Sequence, residues 1–182
     1  MTMNTEASGT GASTTRHAWT GTELGELLMV ACDAGVTGLY FPSHRRMPDA
    51  SGFGPRVDAA SDPLLARTRA QLAEYFAGSR REFDVPLAPA GDEFSERVWL
   101  ILREIPYGET TTYGAIAARL GEPRLAQRVG QAVGRNPVSI IVPCHRVVGA
   151  DGSLTGYAGG LERKRRLLEI EEPPEAAASR LF

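Results

Sequence analysis

The stretch from Thr110 to Pro137, "TTTYGAIAARLGEPRLAQRVGQAVGRNP", decides the fold. It holds two helical patterns on either side of "GEP". Thr112 is placed to cap the first, and Tyr113, Ile116, Ala117 and Leu120 share one face of it. The short glycine-containing turn and the second helix then make a helix-turn-helix. At about 100° per residue, Leu125, Ala126, Val129, Ala132 and Val133 gather on one side of the second helix. Arg124, Gln127, Arg128, Gln131 and Arg135 gather on the other, with Gly130 and Gly134 on the flank between. A solvated face is the plain reading of such a stripe. It contains no acidic residue, however, and the glycines let the backbone approach a phosphate or a groove closely, which favours contact with DNA.

Immediately downstream, residues 139–149 read "SIIVPCHRVVG". "VSIIV" has the look of a short buried strand, which Pro143 ends with a bend. Cys144 and His145 follow, a soft nucleophile beside the natural base for generating a thiolate near neutral pH. Adjacent side chains point in different directions in regular structure, so proton transfer between the two is expected through a bridging water or by way of a bend after Pro143. Taken alone, the dipeptide is better read as a buried thiol beside a surface histidine. Beyond it an Asp151-Gly152 turn is expected between short strands, and "LERKRRLLEIEE" forms a closing helix.

Upstream, "FSERVWLILREI" places Phe94, Val98, Ile101, Leu102 and Ile105 at helical spacing until Pro106 and Gly108 end the helix. Before it, Asp62 caps a helix that has Pro63 in first position and ends at Gly78. "ELGELLMVACDAGVTGLYFP" suggests a β-hairpin, with Cys32 a small buried residue at the end of its first strand. The expected organisation is a disordered tail at 1–17, an N-terminal α+β domain at 18–89, a C-terminal domain at 90–172 and a tail at 173–182.

Composition narrows the possibilities. No run approaches the ~20 apolar residues of a membrane span, and the start, "MTMNTEASGTGASTTRH", is no secretory signal, so a cytoplasmic address is expected. Two distant cysteines make neither a disulfide framework nor a zinc knuckle; neither metal nor cofactor is expected. Residues 1–96 carry 8 Lys and Arg against 13 Asp and Glu, whereas residues 97–170 carry 11 against 6. The basic block thus coincides with the helix-turn-helix and the Cys-His pair, and all but one of its cations are arginine, the side chain suited to phosphates and base edges.

"PCHRV", preceded by "GRNP" and followed by "GYAGG", resembles the O6-alkylguanine-DNA alkyltransferases, the methylated-DNA-protein-cysteine methyltransferase family. The resemblance extends from "LGELLMVA" and "GVTGLYFP" through "IPYGETTTYGAIA" to "KRRLLEIE". It implies an α+β fold, with a small ribonuclease H-like N-terminal subdomain and a mainly helical C-terminal domain carrying the helix-turn-helix. It also implies single-turnover transfer of an alkyl group from guanine O6 in double-stranded DNA to Cys144, with O4-alkylthymine a possible second substrate. The protein would act as a monomer, alone or cooperatively on DNA.

Family roles carried onto matching positions make His145 the base acting through water, Glu171 the carboxylate that orients it, and Tyr113 the donor to the guanine. Asn136 would bridge the helix-turn-helix to the active-site strand, and Val147, Tyr157 and Ala158 would line the base pocket. Arg146 would hold structure together. Arg124, Gln127, Arg128, Gly130, Gln131 and Arg135, with Tyr113, would meet DNA.

Two positions depart from the family pattern. "AQRVG" stands where the family has Ala-Arg-Ala-Val-Gly, so Gln127 occupies the place of the arginine that intercalates when the base flips out, and Arg128 follows it. Either Gln127 fills the gap or a slight turn of the helix brings Arg128 into it; the register favours Gln127 in the stack and Arg128 on phosphate or a groove edge. Arg166 replaces a frequent tryptophan, which leaves the packing there open. The competing readings are a non-catalytic lesion sensor, which the presence of Cys144 disfavours, and a small-molecule cysteine hydrolase, for which no second catalytic cluster is seen.

Overall fold

The computed structural model describes residues 14–173; most of both expected tails, 1–13 and 174–182, lies outside the described residues. Arg16 and His17, assigned above to the first tail, instead open strand β1 (Arg16–Thr22). It pairs antiparallel with β2 (Gly25–Cys32), which pairs antiparallel with β3 (Gly35–Tyr40), so the expected hairpin is the second half of a three-stranded sheet. Pattern reading missed β1 because only Ala18 in it is buried, leaving no apolar alternation. In β2 the alternation is real but masked, since both faces are covered. Leu27, Met29 and Ala31 enter the main core, while Leu28 and Val30 meet Tyr40 and Phe53 in a smaller cluster behind.

Helix α1 (Pro63–Phe76) begins as expected: Asp62 Oδ1 accepts the Leu65 amide at 2.9 Å, and Pro63 stands in its first turn. Asp62 Oδ2 also accepts Arg16 Nε at 2.6 Å, fastening the sheet to the start of the helix. Leu65, Thr68, Leu72 and Tyr75 form the buried stripe, at spacings of three and four. Helix α2 (Glu93–Arg103), capped by Asp92, buries Val98, Trp99 and Leu102, while Ile105 is buried just beyond its end.

Thr111–Thr112 form the short strand β4, and Thr112 Oγ1 caps α3 (Tyr113–Arg119) by accepting the Ala115 amide at 3.1 Å. A 3-10 turn at Pro123–Leu125 leads into α4 (Ala126–Gly134), which gives the expected helix-turn-helix. Its apolar side is buried through Val129, Ala132 and Val133, and the Trp99 indole donates to Ala132 O at 2.9 Å, joining α4 to α2.

Two expectations about the segments around the cysteine are corrected. "VSIIV" is not a strand but a chain of tight turns with a single bridge, Leu39 to Val138. The Asn136 side chain satisfies the backbone in place of a neighbouring strand: its amide donates to Val142 O at 2.8 Å, and its oxygen accepts the Val138 amide at 3.0 Å. Ile140 stands at φ 72°, a left-handed conformation that costs a β-branched residue roughly 1–3 kcal/mol and that surrounding contacts must hold. A short apolar run announces burial but not whether the buried chain is extended.

The second correction concerns Val147–Val148, strand β5. It pairs in parallel with β4 rather than across the Asp151-Gly152 turn. That turn closes on itself, with the Gly149 amide donating to Ser153 O at 2.9 Å, and the chain continues as a loop rather than a strand.

Helix α5 (Leu161–Glu171) closes the described chain with Lys164, Leu167 and Glu171 buried along one stripe. The main core runs without a break from Leu27 and Leu39 through Tyr75, Val98 and Val133 to Cys144 and Leu167. No described helix is long and apolar enough to cross a membrane.

Candidate active site and DNA-facing helix

Pro143 leads into a single 3-10 turn, Cys144–Arg146, and all three side chains of that turn are buried. With about three residues per turn, successive side chains leave in separate directions, so Cys144 and His145 have different neighbours. His145 Nε2 lies 2.8 Å from Glu171 Oε1. Arg146 takes the same carboxylate in a two-pronged grip, Nε to Oε2 at 2.8 Å and Nη2 to Oε1 at 2.9 Å, and spends Nη1 on Ile105 O at 2.6 Å. Glu171 Oε1 also accepts the Tyr75 hydroxyl at 2.7 Å, and Oε2 accepts the Gly108 amide at 3.3 Å. Gly108, at φ 79°, passes so near that a β-carbon there would stand 2.9 Å from Glu171 O.

The charges of this cluster follow from its partners. Burial pushes the Glu171 carboxyl up, but hydrogen bonds from His145 and Arg146 outweigh it and hold the group well below the usual carboxylate range. Burial drives His145 below its ordinary 6.5, against the pull of Glu171, so the ring is neutral at pH 7. A neutral imidazole bonded to a carboxylate through Nε2 carries its hydrogen there and presents a lone pair at Nδ1. That Nδ1 is buried with no hydrogen-bond partner among the described residues.

Burial raises the Cys144 thiol, while the Asn136 amide and the charge of Lys164 pull it back. The sulfur rests protonated, and it becomes a nucleophile only when a base takes the proton. Lys164 is fully buried and donates to Val147 O at 2.5 Å, Thr155 O at 2.7 Å and Gly156 O at 3.4 Å, clamping the loop at 155–156 to β5. Burial brings its amine down to about 8, with Cys144 opposing, which leaves it charged at neutral pH.

The loop also supplies Tyr157, buried and close enough to Cys144 for their charges to interact, and half-buried Ala158, whose carbonyl accepts the Arg45 amide at 3.0 Å. Val147 is buried. Tyr113, half-buried at the start of α3, donates to Thr155 O at 3.2 Å, so the helix-turn-helix and the loop meet at the mouth of the site.

Gly130 of α4 lies against Tyr113, where a β-carbon would come within 3.6 Å of the ring. Gln127, one turn earlier, therefore shares the side of α4 that borders the mouth. Arg124, Gln127, Arg128, Gln131 and Arg135 are all exposed, but two of the arginines lean elsewhere. The Arg128 guanidinium stacks 4.0 Å over the Phe94 ring, and Arg135 Nη1 is 3.6 Å from Asp92 Oδ2. Arg166, the other departure noted in the sequence, is half-exposed and pairs with Glu23 of the hairpin at 3.4 Å and with Glu169 at 3.2 Å.

Known proteins match this arrangement along its length. The DNA binding domain of 6-O-methylguanine DNA methyltransferase matches residues 93–173, and its ribonuclease-like domain matches residues 16–89. The chain belongs to the 6-O-methylguanine DNA methyltransferase family.

Among curated family members, the methylated-DNA–protein-cysteine methyltransferase of Methanosarcina barkeri is 56% identical, the match covering 82% of this chain and 92% of that protein. That of Mycobacterium tuberculosis is 49% identical, covering 79% and 80%. A crystal structure of Mycobacterium tuberculosis OGT in complex with DNA superposes with a TM-score of 0.77 at 41% identity, covering 88% of this chain and 96% of that one.

Around the candidate site, sequence reading missed three contributors, Tyr75, Gly108 and Lys164. Lys164 sits in "ERKRR" among arginines that look the same, and only its phase with Leu167 and Glu171 at i, i+3 and i+7 marks it as inward-facing. Tyr75 carried a similar signal, in register with Leu65, Thr68 and Leu72, but nothing in its own helix says that it faces a carboxylate 96 residues away.

Proposed function

We propose that this protein repairs DNA by direct reversal, moving the alkyl group of O6-alkylguanine onto Cys144 once per molecule. The observation that carries the reading is the pairing of a buried, protonated thiol with a neutral histidine whose Nδ1 lone pair has no partner among the described residues. One water between Nδ1 and Sγ completes a proton path from Cys144 to His145, and Glu171 stabilises the imidazolium that results. Sulfur attacks the alkyl carbon, the S–C bond forms and the C–O6 bond breaks. Tyr113 donates to the purine as negative charge develops on it. The net reaction exchanges the thiol hydrogen for the alkyl group and needs no cofactor or co-reactant. Because the thioether has no second nucleophile to release it, the product is a spent protein.

The base must leave the duplex to reach a sulfur this deep, at a cost of about a few kcal/mol in lost stacking and pairing. Gln127, on the side of α4 beside Tyr113, fills the vacated space, and Val147, Tyr157 and Ala158 receive the base. Arg124 and Gln131 face the DNA backbone across the close approach that Gly130 permits, Arg135 exchanges its ion pair with Asp92 for a phosphate, and Arg128 remains on Phe94 at the groove edge. Asn136 holds the cysteine turn against the end of α4. The thiol must be kept reduced to act, which suits the cytoplasm.

Incubation with a duplex containing O6-methylguanine, followed by mass spectrometry of the Cys144 peptide, tests this. A gain of one methyl group, stopping at one equivalent of lesion per protein, is expected. Binding without modification would replace the reading with that of a lesion sensor. Cys144→Ala should retain lesion binding and lose all transfer.

A further inference from the structure

Tyr75 is the one side chain of the N-terminal half among those hydrogen-bonded to the described Glu171 carboxylate, reaching it across 96 residues of sequence. Its hydroxyl donates to Oε1 at 2.7 Å, the same oxygen that faces His145 Nε2 at 2.8 Å. The phenol is completely buried, and its ring is held by Phe76, Phe83 and Tyr107 at centroid separations of 5.4, 5.5 and 6.2 Å. Burial and the neighbouring carboxylate both keep it protonated, so it can only donate.

We infer that Tyr75 is a positioning residue through which the N-terminal half sets the basicity of His145. The inference rests on the alkyl-transfer reading above for its kinetic consequence, but not for its electrostatic one. Tyr75 and Arg146 Nη2 share Glu171 Oε1 with His145, so hydrogen bonding from Tyr75 withdraws negative charge that would otherwise act more fully on His145. With the hydroxyl present, the carboxylate orients the imidazole without stabilising the imidazolium so strongly that the ring stays protonated. Without it, Oε1 is shared with Arg146 alone and acts more strongly on His145, the imidazolium is favoured, and the ring takes up its proton at higher pH.

Of the other groups facing the pair, Arg146 also reaches Oε1, through Nη2 at 2.9 Å, but as a cation that spans both oxygens, and it and Lys164 both oppose protonation of His145. Tyr107 faces the same carboxylate but donates its hydroxyl to Ile170 O at 2.9 Å, with Arg81 over its ring. Tyr157 also faces Glu171, from the Cys144 side.

Tyr75→Phe removes the oxygen and keeps the ring. Two readouts follow. By NMR of the His145 ring nitrogens in protein without DNA, the imidazole should titrate about half to one pH unit higher in Tyr75→Phe than in the parent protein. In single-turnover transfer from an O6-methylguanine duplex, the ratio of the rate at about pH 8 to that at about pH 6 should rise several-fold. Tyr107→Phe, which removes a nearby hydroxyl that does not touch Glu171, should move neither readout. An unchanged His145 titration, or an equal shift in Tyr107→Phe, would overturn the inference. A loss of rate that is the same at every pH, with a lowered melting temperature, would reduce Tyr75 to a packing residue. Because the NMR titration is read without any transfer, its outcome stands or falls apart from the alkyltransferase reading.

Discussion

The two functional surfaces of this molecule are built on opposite principles. Around Glu171, buried side chains are matched: two nitrogens of Arg146, His145 and Tyr75 converge on one carboxylate from both halves of the chain, joined by the amide of the exposed Gly108. Along the outer side of α4, side chains are exposed, and their contacts are a ring stack and an ion pair at the start of α2. A proton path must be fixed before substrate arrives, so its geometry belongs in the core. A surface that meets a polyanion gains its affinity on contact, so there the protein keeps charge available and backbone close.

The contrast is sharpest in the cost of a substitution. Arg146→Met should be the most damaging change, because it strips two bonds from a buried carboxylate. A loss of about 3–5 kcal/mol, or roughly 10 °C in melting temperature, is expected in thermal unfolding. An effect below about 1 kcal/mol would mean that Glu171 is as adaptable as a surface group.

Acid should single out the same region. His145 has a folded pKa below its ordinary 6.5, so the unfolded chain binds the extra proton and stability falls as pH drops below about 6.5. Glu171, also depressed in the fold, adds a second loss as pH falls below its ordinary 4.5. Denaturant midpoints should therefore decline in two stages on acidification, and His145→Asn should shrink the upper one, leaving the part that comes from buried His44.

On the α4 side the effects are smaller and kinetic. Gln127→Ala should slow transfer from duplex DNA by about tenfold while affecting a single-stranded lesion less, since only the duplex demands that a gap be filled. Arg128→Ala should cost less than Gln127→Ala; the reverse order, or a DNA complex with Arg128 between the bases, would exchange their roles. Smallest of all, Arg124→Ala should weaken binding a few-fold and reduce the salt slope by about one, equally for damaged and undamaged DNA.

The same division governs how much the sequence disclosed. The helix-turn-helix was legible because periodicity, the Thr112 cap and the "GEP" break are local signals, and the outward side of α4 could be named residue by residue. Cys144, His145 and Glu171 were reached through the motif and the resemblance rather than through pattern. The cluster joining His145 to Glu171 was only partly legible. Tyr75 and Gly108 enter it through tertiary contacts, and Lys164 hides among arginines of identical appearance. "VSIIV" misled for a related reason: its hydrophobicity was read as extension, whereas an asparagine side chain stands in for the missing strand and lets the backbone turn. The short partner of Val147–Val148 lies 36 residues earlier, at Thr111–Thr112, too far for a turn signal to announce it.

The bond from the Trp99 indole to Ala132 O gives the DNA-facing helix a built-in optical label. Trp99 is 3% exposed, and its ring packs against Gly91 on one side while its nitrogen holds the backbone of α4 on the other. The second tryptophan, Trp19, lies in β1, on the far side of the chain's sequence from that helix. Any shift of α4 on engaging a duplex would lengthen or bend the indole hydrogen bond and change the emission of Trp99, so the approach to DNA can be timed by light before any chemistry begins.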